Sequence, residues 1–130
     1  MAPRFSLRAL GGVPLHTFFL AAYIPLALYA ANAGEVASSS VVRPLLAAFS
    51  LAVLLLLVGF VLFRARKNAW QRSGLAATLT LVLFGAYGHL YNLLKASPAL
   101  NPYARHRILA PLFLVILLGG LALILWKGRR

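Results

Sequence analysis

The stretch "PLLAAFSLAVLLLLVGFVLF", residues 44–63, decides the fold. It runs through twenty residues without a charge. A helix that crosses a hydrocarbon core of about 30 Å needs about 20 residues, each rising about 1.5 Å. No water reaches that core, so every backbone N–H and C=O must be paired within the segment, and the run reads as an α-helix. Alternation of polar and apolar residues at period two, which would mark a membrane barrel, is absent. Three further charge-free runs read the same way: Ala9 to Gly34, Ser73 to Leu94 and Ile108 to Trp126.

The expected fold is therefore all-α, one domain over residues 1–130: an integral membrane bundle of four transmembrane helices near 11–32, 44–64, 74–95 and 106–126. Composition agrees. The chain is 62% hydrophobic and 11% charged, more apolar surface than a soluble domain of this length can hide. It has no cysteine, which excludes disulfides and thiolate chemistry. No internal repeat is visible.

Charge sets the expected orientation. Arg4 and Arg8 precede the first run, Arg64, Arg66, Lys67 and Arg72 follow the second, and Lys127, Arg129 and Arg130 close the chain. Arg43, Lys95, Arg105 and Arg107 occupy the other two connections. The positive-inside rule then places both termini in the cytoplasm, with nine basic residues inside and four outside. The net charge of +12 is read as a topology signal that also attracts anionic lipid, because no basic stripe interleaved with aromatics lies outside the runs, which excludes nucleic acid. An alternative for the first run is a cleaved signal peptide, since "ANA" at 31–33 fits a small-x-small site; the run's length and Pro25 speak against it.

In this topology the polar residues gather at the outer ends of the runs. The candidate cluster is Tyr29, Asn32 and Glu35 from the first, Arg43 at the start of the second, Tyr87, His89 and Asn92 from the third, and Arg105 and Arg107 before the fourth. Gly85, His89 and Asn92 share a helical face, and Tyr87 and Tyr91 form a neighbouring i, i+4 pair. Gly85 with Gly88, and Gly119 with Gly120, would admit close helix approach. Glu35 is the one acid in the chain and is expected to pair with Arg43, Arg105, Arg107 or His89. Plainer readings stand beside these. Tyr91 and Tyr103 fit an interfacial aromatic belt, and Asn92, Asn101 and Ser38 to Ser40 fit caps and turns. His89 fits a structural hydrogen bond, and His16 with Thr17 is read as structural, without polar company. His89, His106 and Glu35 lack the i, i+3 or i, i+4 spacing of metal ligands, so no metal, cofactor or catalytic residue is expected.

In order, "LYAANAGEV", "RPLLAA", "YGHLYNLL" and "RHRILAPLFL" resemble the N-terminal membrane region of bacterial membrane-anchored sulfatase-like proteins of the alkaline-phosphatase superfamily. The resemblance runs from about Leu15 to the end. It implies a further span and then an extracytoplasmic hydrolase domain with metal-binding Asp and His and a Ser, Thr or Cys nucleophile. Nothing in this chain matches that machinery, so no catalytic residue carries over. The family pattern has a His where Ala31 stands and an acid where Asn92 stands, so a proton-handling role is not implied.

The expected function is a non-catalytic multi-span module of the bacterial cytoplasmic (inner) membrane. It would anchor or partner a sulfatase-like, cell-envelope-modifying hydrolase, either as a fragment of a longer protein or as a stand-alone anchor. Expected partners are membrane lipid with anionic headgroups, and a hydrolase domain or another membrane subunit. The alternatives are an assembly subunit and a small four-helix transporter. Small exporters place an essential Glu in mid-span, whereas Leu20 to Leu28 hold no acid.

Overall fold

The computed structural model describes residues 14–126. Among the described residues, four α-helices follow in order: α1 Leu15–Ala31, α2 Val42–Phe63, α3 Ala69–Ala96 and α4 His106–Trp126. Short 3-10 turns, Ser38–Val41 and Asn101–Tyr103, precede α2 and α4. Among the described residues there is no strand.

Three of the four helices are long and apolar enough to cross a membrane: Ser38–Phe63 with its leading turn, Ala69–Ala96 and His106–Trp126. α1 is a shorter apolar helix of 17 residues, about 25 Å long. The expected start near residue 11 lies outside the described residues. At its other end Asn32 stops the helix, donating from Nδ2 to the Leu28 carbonyl at 2.7 Å and from its backbone N–H to Tyr29 O. Those carbonyls have no partner further along the helix, so a side chain that takes one ends it cheaply.

α3 begins at Ala69, earlier than the expected residue 74. The expected start follows the last charge before the apolar run, Arg72. A helix can run on into polar surroundings, where Gln71 is exposed and Arg72 donates from Nε back to the Lys67 carbonyl at 3.0 Å. The α2–α3 connection is thus only residues 64–68, and it turns on Asn68 at φ 58°. Asn tolerates this left-handed region, where a Cβ normally costs about 1–2 kcal/mol. Asn68→Val is therefore expected to destabilise the protein by about 1–2 kcal/mol, and Asn68→Gly to leave it unchanged, read by SDS titration in mixed micelles.

The chain divides into two compact units, residues 1–78 and 79–130, and α3 contributes to both. In the first unit, α1 and α2 pack together, with Phe18 and Phe49 stacked at 6.3 Å. The buried faces carry small residues: Thr17, Ala21 and Pro25 on α1; Ala52 and Gly59 beside Leu56 and Phe63 on α2; Ser73, Gly74, Ala76 and Ala77 on α3. The α1 set falls at i, i+4 and i+8, one stripe. Small residues let helices approach closely where lipid removes the hydrophobic drive for association. Trp70 stacks on Phe60 at 4.7 Å beside the tight turn.

In the second unit, the remainder of α3 and α4 form a hairpin through residues 97–105. Ser97 O accepts the N–H groups of Leu100 and Asn101 there. Most of α4 is uncovered. Only 6% of its most apolar window is buried, at a mean hydropathy of 2.9. α3 is less apolar, at 1.3, because it carries the polar side chains described next.

Candidate functional site

Among the described residues, one group of bonded polar side chains in each unit joins neighbouring helices. In the first, Thr17 is fully buried. Its Oγ1 donates to the Gly74 carbonyl at 3.3 Å and lies 3.1 Å from Thr78 Oγ1. Ser73, also fully buried, donates to the carbonyl of Ala69 at 2.7 Å. Each buried hydroxyl thus has a partner, as low dielectric demands. Backbone proximity makes this possible. A Cβ on Gly74 would overlap Pro14 Cβ, and one on Gly59 would lie 3.0 Å from Ser73 Cα. Thr17 therefore has polar company that its sequence neighbours do not reveal.

The other first-unit candidates are placed near the α1–α2 connection. Tyr29 and Asn32 are half-buried, while Glu35 and Arg43 are exposed. Asn32 is a helix stop. Among the described residues no ion pair joins Glu35 to Arg43. Both side chains keep their solvation, so nothing forces them together.

The second unit is organised around His106, the first residue of α4. Tyr87 Oη lies 2.5 Å from His106 Nδ1. With the phenol donating, Nδ1 is the lone-pair nitrogen and the ring proton sits on Nε2. Tyr91, one turn on, stacks on the imidazole at 4.7 Å and 11°. Tyr87 also meets the edge of Phe113 at 5.2 Å, and Lys95 Nζ sits 5.7 Å over the Tyr91 ring. Tyr87, Tyr91 and Lys95 are spaced i, i+4 and i+8, so one stripe of α3 faces the start of α4.

His89 and Asn92 are exposed, on another side of α3, and Arg105 and Arg107 are exposed around His106. The engaged histidine is His106, and Tyr91 is an integral part of its contact as well as a residue at a span end. Gly88 and Gly119 face open space, whereas a Cβ on Gly120 would come 2.5 Å from Leu79 Cδ2. Among the described residues, no group of three or more His, Asp or Glu could hold a metal ion.

Chemically the two groups hold helices together. The chain matches no family model, no curated protein and no solved structure.

Proposed function

We propose that the chain is a four-span module of a bacterial inner membrane, with both termini cytoplasmic and no catalysis of its own. It anchors or partners a sulfatase-like, envelope-modifying hydrolase on the outer side. The observation that carries the membrane reading is α4, apolar all round and almost entirely uncovered. Such a surface needs lipid or a partner helix against it. The charge distribution supports the orientation. The hydrolase partner rests on the four motifs alone.

The absence of native cysteine makes single-cysteine labelling direct. Ala37→Cys and Ala99→Cys are expected to react with an impermeant maleimide from outside intact cells, and Arg66→Cys only after permeabilisation. Labelling of positions 37 and 99 from opposite sides would refute the four-span arrangement. For the partner, deleting the gene is expected to release sulfatase-like activity from the membrane fraction. Activity that stays membrane-bound in the deletion strain removes the anchoring role.

A further inference from the structure

A groove of about 300 Å³ runs along the second unit between α3 and α4. Leu83, Phe84, Phe113, Leu114 and Leu117 make its wall, with Ala110 the small residue that keeps it open. It extends over two turns of each helix, about 10 Å. Tyr87 lines one end, and the same Tyr87 bonds His106. Past that point the hairpin becomes cationic. Lys95 lies one turn beyond Tyr91, and Arg105 and Arg107 flank His106. All three are exposed, and residues 79–126 contain no acid. The Arg105 and Arg107 guanidinium groups have no bond or ion pair among the described residues.

We propose that this hairpin holds one anionic glycerophospholipid, with an acyl chain along the groove and its phosphate among Lys95, Arg105 and Arg107. Charge selects the occupant. A zwitterionic lipid brings its own cation to three unneutralised ones, whereas an anionic headgroup brings only what they lack. Arg binds phosphate through two parallel N–H donors, and each basic residue at a membrane surface favours anionic lipid by about fivefold. Aromatic Tyr87 and Phe113 form a rigid stop between the greasy and charged halves, and so fix the depth of the headgroup. The inference rests on residues 79–126 crossing a bilayer, and it adds to that reading a specific ligand.

The test is native mass spectrometry of the full chain released from nanodiscs doped equally with phosphatidylglycerol and phosphatidylcholine of the same acyl chains. A chain that never enters the membrane fraction fails the spanning reading before any lipid is measured. For an inserted chain, phosphatidylglycerol is expected to be retained over phosphatidylcholine by on the order of a hundredfold, three basic residues at about fivefold each. The combined Lys95→Gln, Arg105→Gln and Arg107→Gln variant is expected to bring that ratio close to one. Ala110→Trp, which fills the groove, should reduce retention of both lipids. Glycerol phosphate should not compete. Equal retention of the two lipids by the wild type overturns the proposal, as does a preference that survives the triple variant. Full displacement by glycerol phosphate, or an Ala110→Trp variant that retains lipid like the wild type, removes the groove from it. If the triple variant loses its helical circular dichroism, Lys95→Gln alone and the salt dependence of the wild-type ratio decide. The ratio must fall as salt rises.

Discussion

Gly74→Val is expected to destabilise the protein by about 3 kcal/mol, the upper end of what overpacking a tight contact costs. The position leaves no room, because even a Cβ would overlap Pro14 Cβ, with His16 Cε1 3.4 Å away on the same side. Pro14 cannot step aside by changing rotamer, since its ring is tied to the backbone. Relief has to come from moving α1 off α3. That movement also lengthens the 3.3 Å bond from Thr17 to the Gly74 carbonyl and the 3.1 Å contact with Thr78, so steric and polar losses add. Thr17→Val isolates the polar part. It keeps the shape and is expected to cost about 1 kcal/mol, in the range of hydrogen bonds between membrane helices. Gly88→Val and Gly119→Val are the controls. No atom lies within 4 Å of where their Cβ would sit, and both are expected within about 0.5 kcal/mol of the wild type. SDS titration in mixed micelles, followed by circular dichroism, ranks the four. Equal losses at positions 74, 88 and 119 would show that the close approach of Pro14 to Gly74 does not exist in the folded protein.

The contrast among these glycines shows what a sequence of this kind can convey. Helix existence was plain, because a charge-free run of twenty residues has only one way to satisfy its backbone in lipid. The expected bounds of α4, 106–126, match the structure, and those of α2 differ by two residues at the start and one at the end. The start of α3 was missed since charge marks the edge of hydrocarbon, whereas a helix ends where its backbone bonds end. Packing faces were much less legible. Amphipathic periodicity separates core from water, and a helix bathed in lipid is apolar on both sides. What remained was the spacing of small residues, such as Thr17, Ala21 and Pro25, or Ser73 with Ala77 and Gly74 with Thr78. That signal is diluted by every other Ala and Gly in the chain. Gly88 and Gly119 carry it equally well, yet a Cβ on either would meet nothing within 4 Å. In the polar layer, the i, i+4 relation of Tyr87 and Tyr91 was visible, but not which helix they faced. A residue two elements away, His106, decides that.

His106→Ala is expected to cost about 1–2 kcal/mol, while His89→Ala costs less than about 0.5 kcal/mol. The two histidines look alike in the sequence, each beside tyrosines at a span end. In the structure His89 is exposed, whereas His106 shares a hydrogen bond with the Tyr87 hydroxyl and stacks on Tyr91. Truncation at 106 loses the bond, worth about 0.6–1.7 kcal/mol between membrane helices, and an aromatic contact worth about 0.5–1.5 kcal/mol. The lower part of the combined range applies because the bond is exposed and water can replace it. His106→Phe separates the two contributions, since it keeps a ring for Tyr91 and removes the bonding nitrogen. Tyr87→Phe removes the same bond from the other side while leaving the edge contact with Phe113 at 5.2 Å. If one hydrogen bond is what both variants lose, the double variant costs no more than either single one, and the cycle closes with a coupling near 1 kcal/mol. Additive losses would mean that Tyr87 and His106 act separately. The α3–α4 hairpin would then be held by ring packing alone, with Tyr91 rather than Tyr87 as the partner that matters.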